Sequence, residues 1–291
     1  TARADHWSLN GYPKLTNPLL SKEPNLVSFT NLSSCGTSTA VSVPCMFTNF
    51  GRDGYSQKKF NSTENALDVL KRAGVEVLWR DNNSSSKGVA DRVTYQDYQT
   101  SKLNTVCDPE ECRDEGMLVG LQEYINTHPK KDILIVLHTM GSHGPAYYKR
   151  YPKQFEHFTP TCQDNQLEKC SQESISNAFD NTIVYSDYVI SKTIGLLKAN
   201  QDQYDTSMIY MSDHGESLGE NGVYLHGMPY AIAPKAQKNP ATAIWVGKGF
   251  HGVTVDKLKP FADQPLSHDN LFHTLLGSFE IQSEVYKPEL D

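Results

Sequence analysis

Apolar positions along this chain recur in two rhythms. Short β-rich runs occupy 75–79, 132–138, 207–211 and 243–246, and Leu26, Val27 and Phe29 form an extended approach to a turn. Each run is short and bounded by polar or glycine-rich sequence, which predicts strands. Between them the spacing turns helical. Leu67, Leu70 and Ala73 share one face of 61–73, with Asn61 as cap and Glu64 three residues on. A second helix is expected over about 114–127, and a third over 269–279. The stretch 171–200 repeats apolar residues from Ile175 to Leu197 as one long helix or two. The continuous run from Ile133 to Leu137 suits a strand buried on both faces of a parallel sheet. Strands alternating with helices predict an α/β fold, with no repeat or visible boundary and hence one domain over 1–291.

Composition narrows the class. The chain has 291 residues, with 27 basic against 34 acidic side chains and a net charge of -7. That balance argues against a general nucleic-acid binder. The longest apolar run falls far below the roughly 20 residues of a membrane span, and none reads as a signal peptide. Six cysteines stand at 35, 45, 107, 112, 162 and 170. They allow 15 pairings, or six free thiols in a reducing compartment. Their clustering favours Cys35–Cys45, Cys107–Cys112 and Cys162–Cys170. Disulfides imply an oxidising compartment, and so an export signal upstream of this chain.

Candidate chemistry gathers at the ends of the predicted strands, where open α/β sheets carry their sites. The first strand runs into a turn of small residues with Thr37, Ser38 and Thr39 at a helix start. Asn83 and Lys87 follow the second, His138 and His143 the third, Asp213 and His214 the fourth. Each set alone reads equally as a helix cap, a hydrogen-bonded turn or a solvated loop. Together they suit phosphoryl or sulfuryl chemistry at a metal. Asp213 and His214 offer zinc one oxygen and one nitrogen, with Glu216 and His226 as further candidates. The run Tyr147-Tyr148-Lys149-Arg150-Tyr151-Pro152-Lys153 mixes aromatic and basic residues, as a membrane interface or an ordinary loop would.

Several of these stretches resemble one family. They are Ser34-Cys35-Gly36-Thr37-Ser38-Thr39-Ala40, Val43-Pro44-Cys45-Met46-Phe47, Gly141-Ser142-His143-Gly144-Pro145, Ser212-Asp213-His214-Gly215-Glu216-Ser217-Leu218-Gly219-Glu220-Asn221-Gly222 and Tyr224-Leu225-His226-Gly227. They look like the phosphoethanolamine–lipid A transferases, the bacterial enzymes of intrinsic and mobile colistin resistance. The resemblance runs from about Ala2 past His226 and fades after about Gly249.

The resemblance implies an alkaline phosphatase- or sulfatase-like sandwich, with a central, mostly parallel sheet flanked by helices. It implies a periplasmic catalytic domain at the inner membrane, joined to an N-terminal transmembrane domain outside this chain. Thr39 would be the nucleophile. Zinc would be held by Asp213, His214 and Thr39, and by a Glu directly ahead of Thr1. Asn83, Lys87, His143, Glu216 and His226 would handle the phosphoethanolamine group or a second metal. The donor would be phosphatidylethanolamine and the acceptor lipid A, with polymyxin resistance as the result. A phosphatase or sulfatase of the same fold, or a transferase using another acceptor, is the competing expectation.

Overall fold

A computed structural model describes residues 1–291. The chain divides into two compact units, each built from two segments. One comprises Thr1–Ser33 and Gly141–Pro265, the other Ser34–Met140 and Leu266–Asp291.

The first unit is organised on a three-stranded antiparallel sheet. Thr242–Val246 lies in the middle, with Leu26–Phe29 on one side and Ser207–Met211 on the other. The middle strand is the most deeply buried, and Ala243 and Trp245 are inaccessible or nearly so. One helix of 28 residues, Gln172–Ala199, supplies the cover. Ser171 caps it by accepting the Ser174 N–H at 3.2 Å. Its Ile175, Phe179, Ile183, Ile190 and Ile194 join Trp7, Leu20, Tyr147, Leu218 and Trp245 in a single core. The stretch 171–200 is therefore one helix: it holds no proline, and its one glycine, Gly195, keeps to the helix near the C-terminal end.

The second unit carries the parallel sheet. Glu76–Asp81 is central, and both Thr94–Asp97 and Ile133–His138 run parallel to it. The central strand is buried from Val77 to Asp81. Ile133–His138 is half-buried along its whole length, because it lies at an edge of this sheet. The apolar run had pointed to burial on both faces.

Two helix boundaries differ from the sequence reading. Of residues 61–73 only Ala66–Arg72 is this helix, and Asn61 is instead the last residue of a preceding short helix, Gln57–Asn61. The cap is Asn65, not Asn61. Asn65 Oδ1 accepts from Leu67 N–H at 2.9 Å while Asp68 Oδ2 accepts from Asn65 N–H at 2.8 Å. Starting there brings Ala66, Leu67 and Leu70 inward together. Residues 114–127 form a 3-10 turn, Asp114–Leu118, and a short helix, Leu121–Asn126. Gly120 between them takes φ +77°, which interrupts a right-handed helix.

The three disulfides are those that the clustering favoured: Cys35–Cys45, Cys107–Cys112 and Cys162–Cys170. No cysteine is free. No helix is long and apolar enough to cross a membrane.

Candidate active site

In the second unit, Thr39 is the first residue of the helix Thr39–Met46. The turn before it is held from both sides. Gly36 N–H donates to Ser42 Oγ at 2.9 Å, and Cys35 N–H donates to His268 Nδ1 at 2.9 Å. A Cβ on Gly36 would lie 2.7 Å from Val41 Cγ1, so only glycine lets the turn close on its own helix. The Cys35–Cys45 bridge ties this turn to the helix's last turn. Thr39 thus tops a short, cross-braced helix and is half-buried, while Thr37 is buried.

Asn83 and Lys87 sit in the loop that leaves the central parallel strand. Asp81, the last residue of that strand, is wholly buried and anchors the loop. Its Oδ1 accepts from Asn83 N–H at 2.8 Å, and its Oδ2 pairs with His138 Nδ1 at 2.8 Å and Trp79 Nε1 at 2.9 Å. Burial pulls the Asp81 carboxyl upward, but the His138 and Trp79 bonds outweigh it and hold it below the usual range. His138 is thereby committed to a structural pair, opposite Asp81 in the strand register. Asn83 donates one amide proton to Thr139 O at 2.9 Å. Lys87 takes φ +53°, with its N–H on Ser85 Oγ at 3.2 Å, and is half-buried.

The first unit holds Asp213, His214, Glu216, His226 and His143. Asp213 and His214 follow the strand Ser207–Met211. Their turn is fixed by Ser212 N–H to Ala241 O at 3.0 Å and Gly215 N–H to Gln237 O at 3.0 Å. A Cβ on Gly215 would meet Ala236 O at 1.8 Å. The turn can therefore form only with glycine at that position.

From Glu216 the chain makes a small hairpin. Ser217 pairs with Leu225 and Leu218 with Tyr224. Gly219, Asn221 and Gly222 all take positive φ at the reversal. The same register sets Glu216 opposite His226, and Glu216 Oε1 lies 2.7 Å from His226 Nδ1. The rings of His214 and His226 stand 4.4 Å apart, and those of His143 and His226 5.5 Å apart. These three histidines and Glu216 form one cluster.

Two of these imidazoles, His214 and His143, are held toward the neutral form. Burial pushes His214 down to about 4, against the pull of Asp213. Burial, the Thr1 amine and His226 likewise lower His143. His214 Nδ1 lies 2.7 Å from Gly215 O, so the ring donates from Nδ1 and carries its lone pair on Nε2. That Nε2 is 3.5 Å from Asp213 Oδ2. An oxygen and a nitrogen converging in this way fit two positions of a zinc-like ion. Within the unit no third His, Cys, Asp or Glu joins them at ligating distance. The α-amino group of Thr1 lies 3.2 Å from Asp213 Oδ1.

Three supporting residues had no signal in the sequence spacing. Arg3 donates from Nη1 to Glu216 O at 3.1 Å and pairs with Glu220. Gln237, wholly buried, accepts Met228 N–H at 3.2 Å and donates to Ser217 Oγ at 3.0 Å. Arg150 Nε donates to His143 O at 2.7 Å. The aromatic–basic run is mixed in burial, with Tyr148, Lys149 and Arg150 half-buried and Lys153 exposed. Tyr147 and Tyr151 are core residues, at 1% and 4% exposure.

Residues 1–281 match the sulfatase family, and the chain belongs to it. The fold is that of the alkaline phosphatase and sulfatase superfamily, mixed α/β with parallel sheet elements and helices. The chain is 50% identical over 291 residues to the phosphoethanolamine transferase EptA of Escherichia coli strain K12, and 49% identical over 294 residues to the phosphatidylethanolamine transferase Mcr-1 of Escherichia coli. Each match covers 99% of this chain and 53% of the relative, so the chain spans about half the length of these relatives. It also resembles the crystal structure of the soluble domain of lipooligosaccharide phosphoethanolamine transferase A from Neisseria meningitidis. There the TM-score is 0.95 at 44% identity, covering all of this chain and 88% of that one.

Proposed function

We propose that this chain is the catalytic part of a phosphoethanolamine transferase that moves phosphoethanolamine from phosphatidylethanolamine to a phosphate of lipid A. The whole-length similarity to the two Escherichia coli transferases carries this reading. Thr39 Oγ forms a bond to the phosphorus of the donor, and the bond from phosphorus to the diacylglycerol oxygen breaks. The hydroxyl proton is passed on, and diacylglycerol leaves as the alcohol. A lipid A phosphate oxygen then attacks the same phosphorus, and Thr39 Oγ leaves and regains a proton.

Asp213 and His214 would hold a divalent ion, with zinc the best fit to one carboxylate and one imidazole. Such an ion supplies positive charge that lowers the pKa of an attacking hydroxyl and offsets charge on the phosphoryl oxygens. Lys87 contributes a fixed cation for the phosphate, and Asn83 a remaining amide proton. His143 and His226 offer ring nitrogen to the phosphoryl group.

Three disulfides suit the periplasm, facing the inner membrane where the donor lipid resides. Amine-capped lipid A would bind cationic polymyxins less well. The sulfatase family match favours hydrolysis as a second reading. The two part in one assay: the chain with zinc, phosphatidylethanolamine and lipid A in detergent, followed by mass spectrometry of the lipids. Lipid A heavier by one phosphoethanolamine supports transfer. Free phosphoethanolamine with unchanged lipid A supports hydrolysis and contradicts the proposal.

A further inference from the structure

Glu216 is wholly buried, and only half of its carboxylate is used. Oε1 is engaged by His226 Nδ1 at 2.7 Å, whereas Oε2 is buried with no hydrogen-bond partner. A buried acceptor in that state costs on the order of 1–3 kcal/mol, more when charged. In the same unit a buried donor is in the complementary state. The Tyr147 hydroxyl is sealed from solvent and has no partner either. The two lie in the same part of the unit: a Cβ on Gly144 would meet both the Tyr147 oxygen and the Leu225 side chain, and Leu225 pairs with Ser217, the residue after Glu216. The Glu216 carboxylate accordingly adds to burial in raising the Tyr147 phenol.

The surroundings keep Tyr147 in this place. Its ring packs edge-on against Phe179 of the long helix, with centroids 5.4 Å apart. Its hydroxyl lies under Gly144, where a Cβ would come within 2.7 Å of the oxygen and 2.9 Å of Leu225 Cδ2. Gly144 follows His143 and Leu225 precedes His226, so the hydroxyl lies against one histidine segment at a glycine that the side chain of the other also approaches. Leu225 itself takes φ +63°, an unfavourable value for leucine that the hairpin register imposes directly before His226.

We infer that Tyr147 is a positioning residue, whose O–H donates to Glu216 Oε2 and so fixes the carboxylate that holds His226 as the Nδ1–H tautomer. His226 then presents the Nε2 lone pair toward the substrate. Neither Tyr147 nor its hydroxyl touches the reacting atoms; it acts through Glu216. The alternative is a core tyrosine whose hydroxyl is merely tolerated. The kinetic consequence rests on the transferase reading above, whereas the tautomer itself does not.

The test is ¹⁵N-histidine NMR of the whole chain beside its Tyr147→Phe variant, which removes one oxygen and keeps the ring. In the wild type His226 should show a protonated Nδ1 and an unprotonated Nε2. In Tyr147→Phe the two nitrogen shifts should converge, as the tautomers mix. Unchanged His226 shifts overturn the inference. A second measurement needs no variant: the Tyr147 hydroxyl proton of the wild type should give a slowly exchanging signal, and a rapidly exchanging hydroxyl also overturns it. Under transfer assay, Tyr147→Phe should lower kcat about tenfold with KM little changed. If the wild type fails to transfer at all, the proposed function fails while the NMR result still decides the role of Tyr147.

Discussion

Glu216 Oε1 and His226 Nδ1 stand 2.7 Å apart because a two-pair hairpin ladder places their residues directly opposite one another. The contact joins a wholly buried carboxylate to a half-buried ring, so each controls the other. His226→Ala removes the partner of Oε1 from a carboxylate that water cannot reach. We predict a loss of about 2–3 kcal/mol in urea unfolding, the range for a hydrogen bond to a charged group. A loss below about 0.5 kcal/mol would show that the pair does not hold the hairpin.

The hydroxyls before the helix Thr39–Met46 should separate sharply. Thr39→Ala should abolish transfer, while Thr37→Ala and Ser38→Ala retain measurable activity. Initial rates of lipid A modification by the three variants check this, and equal rates in all three would remove Thr39 from its assigned role.

The Cys35–Cys45 bridge closes a loop around Thr39 with a sequence separation of 10. Chain-entropy reasoning assigns such a loop about 3 kcal/mol. Replacing both cysteines by serine should lower the unfolding free energy by about that amount and also reduce transfer. Replacing Cys107 and Cys112 together should cost stability while sparing the Thr39 turn. Paired urea titrations and rate measurements compare the two.

Much of this was legible in the sequence, and the losses have identifiable causes. The strand at 207–211 follows from apolar rhythm alone, as does the helical character of 171–200, although the rhythm left one helix or two open and the structure shows one. The helix start at Asn65 was missed because Asn61 offered the same cap-and-acid pattern four residues earlier. Only packing chooses, by turning Ala66, Leu67 and Leu70 inward together. Within the candidate site, Asp213, His214, Glu216 and His226 announced themselves as chemistry-bearing side chains. Tyr147 did not. It stands in a run of aromatic and basic residues with no periodicity to mark one face, and its ring packs on Phe179, far along the chain. His138 misled in the opposite sense, since its partner Asp81 becomes visible only with the parallel register.

Asp187, on the long helix, provides a pH prediction. Burial raises its carboxyl to about 6 from a usual 3.8, although Leu19 and Leu20 donate N–H groups to it at 2.9 and 3.0 Å. Because the folded pKa is raised, the fold favours the protonated acid. The stability from this group is fully present below pH 4 and is lost as pH rises through 6. The swing is at most about 3 kcal/mol. Asp187→Asn should flatten the stability profile between pH 4 and 6. An unaltered profile in that variant would mean that another group is responsible.

The covalent step is the centre of the account, and one measurement reaches it directly. The chain is mixed with zinc and phosphatidylethanolamine in detergent without lipid A, quenched in acid, and its intact mass and peptides are recorded. The account predicts a mass gain of one phosphoethanolamine, carried by the peptide containing Thr39 and absent from Thr39→Ala. Lipid A added before the quench should discharge it. An adduct on a different residue, or lipid A modified by the Thr39→Ala chain at the wild-type rate, would contradict it.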